Sequence, residues 1–319
     1  MKIVIPGGSG QIGALLARVF VARGDEVVIL ARTPKVHAQK QLKSVAWDGR
    51  TLGAWTSEID GADLVINLAG RTVDCRYSAR NMQQMLDSRV DSTRVVGQAI
   101  AAATRAPKLW LQASTATIYA HRFDAANDEH TGIIGGNEPG APAKWNGSIR
   151  VATAWEAALN AAETPGTRKV ALRSSMTMSP DKGGIFDTLL GLVRKGLGGT
   201  CGNGKQFVAW IHEADFIRAI DFLVAREDIS GAVNVCSPHP LPNADFMRQL
   251  RQAWGTRIGL PAPAPLLAIG AIFLRTETEL ILKSRRVVPA RLSEAGFTFE
   301  FPLWSHAAHE LCARVRKRC

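Results

Sequence analysis

The stretch Lys2-Ile-Val-Ile-Pro6-Gly7-Gly8-Ser9-Gly10-Gln11-Ile12-Gly13 decides the architecture of this 319-residue chain. Its first five residues form an apolar run of strand length, and glycines follow at once. Ile12, Leu15, Leu16, Val19 and Phe20 then recur at the spacing of a buried helix face, and Gly24 fits the helix stop. A second strand-like run, Glu26–Ala31, comes directly after. Strand, glycine turn, helix and strand in such close succession form the βαβ unit of a parallel sheet.

The turn itself has the pattern GxxGxxG at Gly7, Gly10 and Gly13, with Gly8, Ser9, Gln11 and Ile12 between. Glycines at these places give a tight turn, let backbone approach a pyrophosphate, and pack helix on strand. The phosphates would then sit over free N–H groups at the positive helix end. The end of the second strand selects the cofactor. It reads Leu30-Ala31-Arg32-Thr33, without the carboxylate that holds the ribose hydroxyls of NAD. Arg32, unless it is only a surface charge, offers a planar fork of donors to a 2′-phosphate. NADP(H) is therefore the expected cofactor.

The alternation continues outward from this unit. Strands are expected near 64–69, 108–113, 169–173 and 232–236, with long helices near 79–104 and 148–162. From about Pro238 the texture changes. Asn243 is placed to cap a helix through Phe246, Leu250 and Trp254, followed by a turn rich in proline (Pro261, Pro263, Pro265) and two more helical stretches. The expected fold is α/β: a Rossmann-type doubly wound parallel sheet over residues 1–237, with a small, mainly helical C-terminal cap over 238–319 completing a substrate cleft.

Composition agrees with a soluble globular protein, at 46% hydrophobic and 21% charged residues. The apolar run 266–274 is too short for a membrane span, and a strand beginning at Lys2 leaves no room for a signal peptide. The five cysteines (75, 201, 236, 312, 319) lack CxxC spacing, so neither a zinc site nor a disulfide framework is indicated. A cytoplasmic protein is expected. The net charge of +11 is weighted toward the C-terminal end, with 12 basic and five acidic residues from Arg248 onward. These charges are dispersed and lack interleaved aromatics, so no nucleic-acid or membrane partner is expected, only a small-molecule substrate.

Further motifs carry a resemblance. They are Asp63-Leu-Val-Ile-Asn67-Leu-Ala-Gly70, Ser88-Arg89-Val90, Ser114-Thr-Ala-Thr-Ile-Tyr119, Trp155-Glu156, Leu172-Arg173, Gly196-Leu-Gly-Gly199 and Trp210-Ile-His212 with Asp215. In the C-terminal region Phe246, Val288-Pro289 and Glu294-Ala-Gly-Phe297 join them. With these the chain resembles the extended and atypical short-chain dehydrogenase/reductase superfamily, and within it an epimerase-like family with its own small C-terminal domain. The resemblance implies that Asn67, Leu68 and Ala69 lie beside adenosine and ribose, with Gly70 permitting close approach. It also implies that Arg89 and Glu156 contact the cofactor. Read as residues alone, Arg89 equally suits a salt bridge and Glu156 an exposed helical acid. His212 and Asp215 are expected to hold a helix start.

The superfamily's chemistry uses a tyrosine acid/base, a lysine four residues later and a Ser/Thr. Anchored on Glu156, the tyrosine position is Ser148 and the lysine position is Ala152. Thr115 survives. Tyr119 is either a substitute acid or a packed aromatic at the strand end, and Arg150 is a candidate cation. The only other tyrosine, Tyr77, falls in the loop after the fourth-strand motif. Nucleotide-sugar members also carry an arginine four residues before the motif histidine, where this chain has Val208. Two functions follow: an NADP(H)-dependent oxidoreductase or epimerase-like enzyme using Thr115 and Tyr119, or a non-catalytic NADP(H)-binding sensor.

Overall fold

The computed structural model describes residues 1–138, 141–265 and 277–318. The apolar run 266–274 lies outside the described residues. The central sheet uses β1 (Lys2–Pro6), β2 (Glu26–Ala31), β3 (Leu42–Ala46), β4 (Leu64–Asn67), β5 (Leu109–Thr115) and β6 (Arg168–Ser174). Three short strands follow, β7 (Met176–Met178), β8 (Phe207–Val208) and β9 (Trp210–His212), then β10 (Gly231–Val235) and β11 (Leu241–Pro242). The seven-stranded sheet has the order β10-β6-β5-β4-β1-β2-β3, parallel throughout. The order reverses at β1, so a crevice opens at the carboxyl ends of β1 and β4, where such sheets bind ligands. The expected α/β doubly wound sheet is what the chain forms.

Alternation along β1 feeds two cores. Ile3 and Ile5 pack with Leu16 and Phe20 of α1 (Gln11–Ala22), while Val4 faces Val95, Val96 and Ile100 of α2 (Ala79–Ala102). Leu159 of α3 (Asn146–Ala161) joins the second core, beside Trp110. On the first face lie Ile217 and Ile220 of α5 (Glu213–Ala225), which follows α4 (Ile185–Arg194).

The C-terminal region is bound to the same body. Phe246 of α6 (Asn243–Trp254) stacks on Trp304, the first residue of the C-terminal helix Trp304–Lys317, with centroids 4.1 Å apart. Between these helices come two short ones, Glu279–Leu282 and Ala290–Glu294. Leu241 of β11 pairs with Val208 of β8, and that valine is buried. No helix among the described residues is long and apolar enough to cross a membrane.

Three details differ from expectation. The edge strand β3 went unforeseen. Asn243 does not cap α6 with its side chain: its Oδ1 accepts from the Cys201 N–H at 2.8 Å, tying α6 to the 201–206 turn. The His212 position matches its expected role, because Nδ1 accepts from the Ala214 N–H at the start of α5. Asp215 holds the neighbouring chain instead, accepting from the Glu300 and Phe301 N–H groups at 2.7 and 2.8 Å.

Candidate active site

The β1–α1 turn is built by close backbone approach. Gly7 has φ +74°, and a Cβ there would lie 2.6 Å from Ala69 Cα. A Cβ on Gly13 would fall on the Gly8 backbone, so α1 rests directly on the turn. Gly8 is buried, whereas Ser9 and Gly10 are exposed. Gly10 caps α1 without a side-chain hydrogen bond, which leaves the first-turn N–H groups of Gln11, Ile12 and Gly13 outside the helical ladder. The Gln11 side chain lies against Gly184, the residue that opens α4, and its Nε2 is buried with no acceptor among the described residues. Bare amides, a helix dipole and an orphaned amide donor all favour an anion with acceptor oxygens. The donor set fits a dinucleotide pyrophosphate.

Two neighbouring strand ends border this cradle. Arg32 follows β2, exposed and without an ion pair among the described residues. At the end of β4, Asn67 is buried and its side chain shapes the turn: Oδ1 accepts from the Ala69 N–H at 3.1 Å, and Nδ2 donates to Gln112 Oε1 at 2.9 Å. Leu68 donates its N–H to the Pro6 carbonyl at 2.8 Å. Next to Gly70 stands the Arg89 guanidinium. It donates to the Arg71 and Met85 carbonyls and lies 4.8 Å over the Trp155 ring. No carboxylate pairs with it among the described residues, so the salt-bridge reading fails. Burial pushes its pKa down to about 10.

Beyond β5 the expected residues separate. Thr115 is half-buried and its Oγ1 accepts from the Thr117 N–H at 3.1 Å, capping a single turn. Glu156 is not an exposed acid. Arg173 binds both of its oxygens, from Nε at 2.8 Å and Nη2 at 2.7 Å, and Ser114 Oγ donates at 2.6 Å. These bonds commit its carboxylate to the protein. Tyr119 is 1% exposed; its hydroxyl donates to Asn234 Oδ1 at 2.9 Å and accepts from Arg173 Nη1 at 2.8 Å. This is the packed aromatic at the strand end. Burial raises its pKa. Ala152 packs in the same cluster, so the family's lysine position is filled by core, and Arg150 is exposed.

A polar cluster that sequence reasoning missed converges on Ser148. Its hydroxyl donates to Glu279 Oε2 at 2.6 Å, and nearby the Tyr77 N–H donates to Glu277 Oε1 at 3.3 Å. Lys283 Nζ, 3.8 Å from Glu279, donates to the Thr117 carbonyl at 2.8 Å, and Arg285 Nε donates to Thr117 Oγ1 at 3.0 Å. Burial, then Glu279, pushes Tyr77 up to about 12. Burial, then Arg285, lowers Lys283 to about 8. The Glu279/Lys283 spacing of four was the one visible signal, since it places both on one helix face.

Proteins similar to this chain match it over almost its whole length. The epimerase family protein SDR39U1 of Bos taurus is 32% identical over 321 residues, covering 98% of this chain and 100% of its own length. The epimerase family protein YfhF of Bacillus subtilis is 30% identical over 316 residues, 98% of each. A crystal structure of human epimerase family protein SDR39U1 (isoform 2) with NADPH matches with a TM-score of 0.84 at 27% identity, covering 98% of this chain and 99% of that one. Residues 262–311 match DUF1731, a domain of unknown function. With residues 3–236 matching its description, the chain belongs to the NAD dependent epimerase/dehydratase family.

Proposed function

We propose that this chain binds NADP(H) in the β1–α1 cradle and acts on a small substrate as an oxidoreductase or epimerase-like enzyme. The carrying observation is the uncapped α1 terminus, pressed against the Ala69 turn, with Arg32 uncommitted at the end of β2. In this reading the amides of Ser9 to Gly13 and the Gln11 side chain hold the pyrophosphate. Arg32 meets the 2′-phosphate, and Leu68 to Gly70 border the adenosine ribose. The related SDR39U1 structure with NADPH supports the choice of cofactor. A nicotinamide dinucleotide supplies hydride transfer, and the protein supplies position and a proton.

The substrate lies between the strand ends and the C-terminal segment, near Thr115. Glu156 acts through Arg173 by bracing β6 against α3, not by touching cofactor. Four cysteines unpaired among the described residues support a reducing, cytoplasmic setting. Isothermal titration calorimetry tests the reading: NADPH gives a saturable binding heat and NADH binds more weakly. Absence of heat with NADPH overturns it, and tighter NADH binding overturns the 2′-phosphate assignment.

A further inference from the structure

We propose that Ser148 and Glu279 form the proton relay of this site: the Ser148 hydroxyl meets the reacting oxygen of the substrate, and the Glu279 carboxylate behind it takes or returns the proton. The inference rests on the NADP(H) reading above. Ser148 is half-buried in the first turn of α3, whereas Glu279 is wholly buried. Their oxygens are 2.6 Å apart, so a proton leaves or enters this carboxyl through the serine. Placement follows from the crossover. A helix that connects parallel strands starts above their carboxyl ends and runs back. On α3, Glu156 binds Ser114 and Arg173, which are next to last in β5 and β6. Ser148 stands eight residues earlier, about 12 Å further out along the helix. Beside it, Gly147 lies against Met82 in the first turn of α2, the helix that follows β4. The hydroxyl therefore sits above the strand ends where open α/β sheets bind ligands.

Glu279 has the surroundings of a group that exchanges a proton. Its Oε1 is buried with no hydrogen-bond partner among the described residues, an arrangement that costs folding energy. Lys283 Nζ stands 3.8 Å from that oxygen, and the Arg285 guanidinium donates to the Glu279 carbonyl at 3.3 Å. Glu277, the other carboxylate of this segment, is held by Lys144 at 3.0 Å and by the Tyr77 N–H at 3.3 Å. Burial raises the Glu279 carboxyl above the usual carboxylate range, which makes its anion a stronger base. In the oxidising direction, the substrate's C–H bond breaks and its hydride goes to the oxidised nicotinamide. The alcohol O–H bond breaks as its proton passes to Ser148 Oγ, and the serine's own proton passes to Glu279 Oε2. The C–O bond becomes C=O, the serine is restored, and Glu279 is left neutral until it returns the proton to water by the same path. Run in reverse, the relay protonates a carbonyl oxygen as hydride reaches its carbon.

Infrared difference spectra test the relay without a known substrate. Wild type minus Glu279→Gln isolates the neutral-carboxyl band of Glu279 and its titration. Saturating NADP+, with its positive ring near Ser148, is expected to place that titration about one unit below its place with NADPH, whose ring is neutral. Ser148→Ala should raise it by about one unit, because the carboxylate loses its donor. Should Glu279→Gln fail to fold, wild type minus Ser148→Ala gives the displaced band. Calorimetry on each protein shows whether the dinucleotides are bound. Bound cofactors that leave the Glu279 titration in one place overturn the relay alone, whereas no binding heat overturns it together with the cofactor reading. With phenanthrenequinone as the probe acceptor, Ser148→Ala and Glu279→Gln each lose about 100-fold in kcat, with NADPH affinity within about twofold. The double variant loses no more than either, and Ser148→Thr keeps most of the rate. Losses that multiply in the double variant overturn the shared path.

Discussion

Arg173 and Glu156 meet fork on fork across the β6–α3 contact, at 2.8 and 2.7 Å, with side chains only 12% and 13% exposed. The pair also carries Ser114 on one side and Tyr119 on the other. Removing one charge strands the other in a poorly solvated place. Glu156→Gln is expected to lower stability by about 3 kcal/mol, read by urea unfolding. The double replacement Glu156→Leu with Arg173→Met should regain much of that loss, because desolvating the pair itself costs energy. A single mutant as stable as wild type would show that the pair contributes nothing.

The α1 cradle depends on Gly13 having no side chain. Gly13→Ala puts a methyl group on the Gly8 backbone, which cannot retreat as a flexible side chain would. The expected cost is about 1–3 kcal/mol in thermal unfolding, with NADPH binding heat lost. Retained binding would mean that the turn tolerates a shift without losing its ligand.

Arg32 is expected to discriminate cofactors and to contribute little to folding, since it is exposed and without an ion pair among the described residues. Arg32→Ala should weaken NADPH by about ten- to a hundredfold, the worth of a charge-assisted phosphate contact. NADH affinity should stay as it was. Equal losses for both dinucleotides would place the arginine elsewhere on the cofactor.

Lys283 gives the alkaline pH dependence. Burial and then Arg285 hold its pKa at about 8, below the ordinary 10.5. The folded protein therefore releases this proton earlier than the unfolded chain does. As pH rises between those two values the unfolded state binds more protons, so stability rises, by roughly 3 kcal/mol across the window. Lys283→Met should abolish that rise. Urea midpoints of the two proteins, compared near about pH 7 and about pH 10, read the difference. Parallel pH profiles would refute the assignment.

The cradle was legible because its physics is local. Gly7 to Gly13, the run Glu26–Ala31 and the helical spacing of Ile12 to Phe20 all lie within one βαβ unit. Leu42–Ala46 escaped notice because it is an edge strand, only partly buried along its length, and has no continuous apolar run. The role of Asn243 depended on Cys201, and that of Glu156 on Arg173, partners that no local pattern names. Tyr77 reads only as a loop residue in the sequence, because its partner Glu277 comes 200 positions further along. Contacts at that separation leave no periodic trace.

Lys283 reaches Thr117 across 166 positions of sequence, and its side chain is sealed from water once it arrives. A ribosome delivers the β1–α1 turn long before it delivers this plug. On a nascent chain the nucleotide dock would thus be complete while the opposite wall was still missing. The C-terminal wall closes last, when the final fifth of the polypeptide folds back onto what is already built.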